Sequence, residues 1–336
     1  MPGWVHHFGE LHGIEGITPK TQKDIVPYFV AKTETYEQEE GNPFATGRDH
    51  GVDVGVDGKI GVTNDLTLDF TVNPDFGQVE ADPSQVNLSA FETYFQEKRP
   101  FFIEGRNITN FQVTPGNGGM SMDNLFYSRR IGRSPQYSPD TEHHYDMPDY
   151  TTILSALKLT GKTKKGWSVG VLESMTQKEL AVIDAPDGKK HEPVEPFTNY
   201  FISRLQKDMN NTIVGGMITS VHRDLSENHM GLHSAAYTGG FDFKQYWKNK
   251  EYFVSLNTVF SRVEGDSEVI LETQQSAQRY FQRPDAGHIS LNPQRNSLSG
   301  FGGTLQFGKQ NFSGFQYNAV ITWRSPGLEL NDLGFL

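Results

Sequence analysis

The sequence predicts an all-β fold: an antiparallel up-and-down transmembrane β-barrel, complete or incomplete, with a long inward-folded loop that contains a short helix. Three observations predict it. Alternating segments of about nine to eleven residues recur along the chain, short polar turns alternate with long loops, and aromatic residues gather near segment ends. Side chains of a strand point to opposite faces in turn, so apolar and polar residues in strict alternation mark a strand with one apolar face. These segments are about twice the length of an ordinary soluble strand and suit a tilted strand that crosses a bilayer.

The clearest pattern occupies residues 52–73. Val52, Val54, Val56, Ile60 and Val62 alternate with Asp53, Gly55, Asp57, Lys59 and Gly61. After a Thr63-Asn64-Asp65 turn, Leu66, Leu68, Phe70 and Val72 alternate with Thr67, Asp69, Thr71 and Asn73. That is a hairpin. An extra strand is expected just before it, near Val26 to Glu34. Further hairpins are expected from Thr151–Thr160 with Trp167–Ser174, and from Asn199–Lys207 with Thr212–Val221. A fourth joins the alternating run around Phe241 to that around Leu256 through Lys248-Asn249-Lys250. A fifth joins Phe301–Phe307 to Phe315–Arg324 through Lys309-Gln310-Asn311. Five hairpins make about ten strands.

The long connections fall near residues 74–150, 178–198, 224–232 and 264–298, all on the side opposite the short turns. A soluble β-sandwich would show shorter strands and Greek-key connections of mixed length. Tyr246, Trp247 and Tyr252 bracket one short turn, while Phe260 and Trp323 lie near the far ends of their strands, a distribution that suits two interfacial girdles.

Composition narrows the function. The 336 residues include 30 Lys and Arg against 41 Asp and Glu, a formal net charge of −11, and no basic stripe offsets it. Nucleic acid is therefore not an expected partner. There is no cysteine, which removes disulfides and thiolate metal sites and agrees with an envelope location. No apolar run reaches the length of a membrane-spanning helix, a test that barrel strands escape. Met1 leads into Pro2-Gly3-Trp4 without a signal-peptide pattern, so the chain reads as either not exported or a piece of an exported precursor.

Residues 73–107 break the strand pattern. Ser89-x-x-Glu92 forms a capping box, Leu88, Phe91 and Phe95 would share a helical face, and Pro100 would end the run. A short amphipathic helix is expected from about Ser89 to Lys98. A loop with its own apolar face, inserted between barrel strands, is expected in or over the lumen.

The run DFTVNPDFGQVEADPSQVNLSAFETYFQEKRPFFIEG carries a resemblance, together with NPFATGRDHGVDVGVDGKIGVTNDLTLDF before it and LFYSRRIGRSP after it. It resembles a Gram-negative family in which an outer-membrane-type β-barrel domain of unknown function follows a carbohydrate-binding module similar to family nine. The resemblance implies that residues 1–25 are linker from a missing N-terminal domain, with WVHHFGELHGIEGI as its recognisable part. It implies that 26–336 is the barrel domain, with 74–150 a plug-like loop. Members continue past SPGLELNDLGF, so a segment of a longer chain is implied. Location in the bacterial outer membrane and a link to carbohydrate are likewise implications of the resemblance, which brings no catalytic residues with it.

The candidate ligand or lumen residues are Asp75, Glu80, Asp82, Glu92, Arg99, Glu104, Arg129 and Arg130, with Glu97 and Arg106 among them. The first reading is that they pin the loop by ion pairs to lumen-facing residues such as Asp57, Lys59 and Asp69. The alternatives are calcium or solute binding and glycosidase acid–base chemistry. Gly166-Trp167-Ser168-Val169-Gly170 fits the G-x-S-x-G pattern, but a hairpin turn precedes the serine and a strand follows, where the nucleophile elbow needs a helix. His143, His144 and Asp146 are read as solvated rather than as metal ligands. No cofactor, metal or catalytic residue is expected. The expected partners are membrane lipid and a polar solute, plausibly carbohydrate. Hydrolysis by loop carboxylates and a barrel that only anchors a complex are the competing functions.

Overall fold

The alternation of the sequence becomes one long meander. The computed structural model describes residues 13, 21–74, 92–114, 123–226, 230–310 and 314–336. Strands β1 (Lys23–Thr35), β2 (Arg48–Gly61) and β3 (Leu66–Val72) open it, followed by β5 (Ile153–Lys162) and β6 (Trp167–Thr176). Then come β9 (Thr198–Met209), β10 (Thr212–Arg223), β11 (Ala235–Trp247), β12 (Tyr252–Glu264), β13 (Ser297–Lys309) and β14 (Asn318–Arg324). These eleven strands form a single sheet in that order, and every adjacent pair is antiparallel. All five expected hairpins form, and the extra strand is β1.

The sheet is not closed. Each of β1 and β14 has one neighbour in it, and both are exposed along nearly their whole length. The barrel expected from the sequence is therefore an open sheet among the described residues.

A second sheet lies in the connections on the long-loop side. Strands β4 (Tyr145–Asp146), β7 (Glu179–Ala185) and β8 (Gly188–Glu195) pair in the order β4-β7-β8. The stretch 178–198 is thus a hairpin rather than a plain loop. The connection after β12 likewise carries a helix, α3 (Ser267–Gln275).

Two four-residue helices, α1 (Pro100–Ile103) and α2 (Arg106–Thr109), lie in the insertion between β3 and β5. The helix expected over Ser89 to Lys98 does not form where it can be followed, since residues 92–99 carry no helical turn. Leu88, Ser89 and Phe91 lie outside the described residues. Pro100 begins a helix instead of ending one, because its fixed φ suits the first helical position and its missing N–H is no loss there. Backbone groups that a helix would use are taken by a side chain: Phe95 N–H donates to the Tyr127 hydroxyl at 3.0 Å, and that hydroxyl donates to Phe95 O at 3.0 Å.

The register shows which side chains share a face. Leu68, Leu157, Val169, Leu205, Ile218, Phe241, Phe260, Phe301 and Ile321 point away from the insertion. Asp69, Lys158, Arg204, Asp242, Asn257 and Thr304 point toward it. Exposure runs opposite to polarity: Val52 is 64% exposed and Phe260 60%, whereas Lys158 is 2% exposed and Arg204 4%. A protein folded in water buries its apolar face and solvates its charges. This sheet leaves an apolar face exposed and buries charges such as Lys158 and Arg204, beside apolar residues, on the other. Tyr246 departs from the girdle reading, because it falls on the inner face while Trp247 and Tyr252 point outward.

The apolar core sits between the inner face and the insertion. Phe102, Phe111, Leu125 and Ile131 of the insertion meet Leu172, Ile202, Met217 and Val259 of the sheet, and Leu328, Leu330 and Leu333 complete it. Gly240 marks the closest approach. A Cβ there would stand 2.6 Å from both Leu125 Cδ1 and Phe111 Cζ. Gly240→Val should loosen the insertion by about 1–3 kcal/mol through overpacking, read as faster protease cleavage within 92–131 while the strand signal in circular dichroism stays constant.

Candidate functional site

The site is the seam between the insertion and the polar face, and four groups of charges close it. In the first, Lys59 lies 3.5 Å from Asp69 and bonds Glu104, while Lys158 Nζ donates to Phe101 O and to Glu104 O, the latter at 2.9 Å. Lys158 also lies 3.4 Å from Asp69 and 4.6 Å from the Phe101 ring centre. These contacts tie α1 to β2, β3 and β5. A buried ammonium needs such company, because leaving water unpaired costs several kcal/mol.

The second group fixes the insertion to itself. Arg99 Nε and Nη2 donate to the two Glu97 carboxylate oxygens at 2.8 and 2.7 Å. Arg99 also donates to Ile131 O at 2.7 Å and to Ser128 O at 2.8 Å, and Ser128 Oγ donates to Glu97 at 2.6 Å. Burial works against the Glu97 charge, but the bonds from Arg99 and Ser128 outweigh it and lower the carboxyl pKa.

Arg130 forms the third group, gripping Glu92 bidentately at 2.7 and 2.6 Å and reaching Gly334 O at 3.1 Å. Its neighbour Arg129 donates to Gln96 O at 3.4 Å and stands 5.8 Å from the Phe95 ring centre. Arg106 donates to the Tyr94 hydroxyl at 2.8 Å. Of the described candidates, Glu104 meets the sheet, whereas Glu92, Arg99, Arg129 and Arg130 bond within the insertion or to the Gly334 carbonyl, and each carboxylate among them meets a cation. Asp75, Glu80 and Asp82 lie outside the described residues. Asp57 sits on the inner face of β2 but is exposed.

In the fourth group, two fastenings lie deeper along the insertion and are not among the candidates read from the sequence. Arg204 on β9 pairs bidentately with Asp242 on β11, with Nη2 to Oδ2 at 2.9 Å, and stacks 5.0 Å from the Phe111 ring centre. Asn257 Nδ2 donates to Gln112 O at 2.9 Å. The available signal was parity, since Arg204, Asp242 and Asn257 all occupy polar positions of alternating strands. Around this pair opens a cavity of about 200 Å³ between α2 and β9 to β12, lined by polar and apolar residues alike. Gln206, Lys244, Ser255 and Asn110 help line it. At the long-loop end, His233 Nδ1 lies 2.9 Å from Asp332, which also accepts from Arg223 at 2.6 Å. Burial opposes the Asp332 charge, yet Arg223 and His233 hold its carboxyl well below the usual range.

Ser168 of the G-x-S-x-G run lies within β6, with a strand on its far side rather than a helix. His144 offers its backbone carbonyl to Asp184 N–H at 2.9 Å. Among the described residues no group of three His, Asp or Glu side chains assembles to hold a metal ion.

The geometry defines a class: an antiparallel meander with an exposed apolar face, whose other face carries charges and an apolar core and packs against the described part of its own insertion. The chain belongs to the family described as "Domain of unknown function (DUF5916)", which it matches over residues 19–336. No curated protein matches it. Among solved structures it is similar to the in-vitro folded, trimeric form of OmpT, an outer membrane protein of Vibrio cholerae. The two are 8% identical with a TM-score of 0.29, over 91% of this chain and 89% of that one. It is similar also to the outer membrane protein opdK of Pseudomonas aeruginosa, at 11% identity and a TM-score of 0.27, over 92% of this chain and 86% of that one.

Proposed function

We propose that this chain forms an outer-membrane β-barrel, whole or in part, that binds or passes a polar solute, with the 74–150 insertion as its plug. The supporting observation is the inverted exposure of the sheet. Outward positions free of charge, Tyr252, Val254, Leu256, Thr258 and Phe260, run along β12 for a rise of about 27 Å at 3.4 Å per residue. That span, once tilted, suits the apolar band of a barrel. Charged outward residues stand at its two ends, with Lys207 and Lys309 at one and Arg262 and Glu264 at the other.

The cavity beside Arg204 and Asp242 supplies donors and acceptors for a hydrophilic solute, with Phe111 as an apolar wall beside them. Carbohydrate is the solute class we favour, on the strength of the family resemblance. The engagement of Glu92, Glu97 and Glu104 by lysine and arginine favours pinning over acid–base chemistry for those carboxylates.

Refolded into detergent or vesicles, the protein should migrate differently on denaturing gels before and after boiling, and loaded vesicles should swell in sugar solutions. A monodisperse, detergent-free protein with one gel mobility would overturn the membrane reading.

A further inference from the structure

We propose that the short-turn rim of the sheet binds the headgroups of anionic phospholipids of the phosphatidylglycerol class, so that this end sits against an anionic leaflet. The inference rests on the membrane reading and adds a partner of defined chemistry.

The chain as a whole is acidic, yet its short-turn rim is basic. Lys162 ends β5, Lys164 and Lys165 lie in the turn between β5 and β6, and Lys207 lies two residues before the end of β9. Lys248 and Lys250 lie between β11 and β12, and Lys309 ends β13. Lys162 is answered by Asp208 at 3.5 Å and Lys309 by Glu251 at 3.3 Å. The other five form no ion pair among the described residues. The opposite end differs in sign, for residues 134–150 contain Asp140, Glu142, Asp146 and Asp149 and no lysine or arginine.

The rim lysines are also placed at the depth of a headgroup. Lys207 Nζ stands 5.0 Å from the Trp167 ring centre and Lys248 Nζ 5.3 Å from Tyr252, both rings pointing outward. Trp247 stacks on Tyr252 at 6.0 Å and on Phe307 at 5.8 Å. Trp and Tyr settle at the boundary between acyl chain and headgroup, so ammonium groups against their rings lie where lipid phosphates lie. Lys248, Asn249 and Lys250 hold φ of 47°, 55° and 66°, three successive non-glycine residues in the left-handed region. That conformation is costly, and it presents both ammoniums from one tight turn.

A direct test is flotation with vesicles of phosphatidylcholine, with and without phosphatidylglycerol, after dilution of the whole protein from detergent. Added phosphatidylglycerol should raise binding about tenfold or more at low salt, with the gain shrinking as salt is added. Replacing Lys164, Lys165, Lys248 and Lys250 together by glutamine should remove the gain, and replacing the same four by arginine should keep it. If the protein floats equally well with both vesicles, or the glutamine variant retains the gain, the rim assignment is overturned and the membrane reading stands. If it floats with neither vesicle, the membrane reading fails and takes the rim assignment with it.

Discussion

Phe241→Arg should destabilise the protein by about 2–4 kcal/mol when it is folded in a bilayer. Phe241 points outward on β11, midway between Tyr237 and Trp247, and is 45% exposed. In water an arginine at such a half-exposed position would change stability by about 0.5 kcal/mol at most. In lipid its charge sits near the centre of the apolar band. Gln245→Arg, on the same face but near the rim, should cost only about 0–1 kcal/mol. Unfolding by denaturant from phosphatidylcholine vesicles, followed by tryptophan fluorescence, measures both. Equal and small effects at the two positions would place the outer face in water.

Glu97→Leu should cost about 3–5 kcal/mol of insertion stability, because it removes the buried carboxylate that accepts from Arg99 at 2.7 Å and from Ser128. The loss should appear as rapid proteolysis between residues 92 and 131 with the strands intact, since both partners belong to the insertion and neither belongs to the sheet. Acid should act in the same direction. The Glu97 pKa is lowered in the folded protein, so its stabilising contribution is complete above the ordinary carboxyl pKa of about 4.3 and disappears as pH falls through the lower native value. An insertion that resists protease equally in the variant, or well below that pH, would show that the apolar core alone holds it.

The sheet was largely legible in the sequence because period two is written locally. The alternation is plainest in β2, β3, β11, β12 and β13, whereas β1 runs apolar from Ile25 to Ala31, and short turns such as Asn210-Asn211 punctuate the series. The assignment of Lys59 and Asp69 to the polar face followed from parity alone. What was not legible depended on contacts distant in sequence. In β7, Ala181 and Ile183 are buried while Leu180 and Val182 lie on the other face, so both parities are apolar and no alternation marks the strand. The Ser89–Glu92 capping box is a local signal, and it was outweighed where Tyr94 stacks on Tyr127 at 5.0 Å and meets Phe335 edge-on at 5.2 Å. Arg204 and Asp242 looked like ordinary polar positions. Only the register of β9, β10 and β11 brings them together.

The two free edges have a consequence in arithmetic. Along eleven strands that each run opposite to the last, β1 and β14 point in the same direction. Laid edge to edge, they would meet as a parallel seam. A wholly antiparallel cylinder needs an even number of staves, the usual rule for single-chain bacterial barrels. Such a closure therefore takes an odd number of further strands between the exposed edge strands Lys23–Thr35 and Asn318–Arg324.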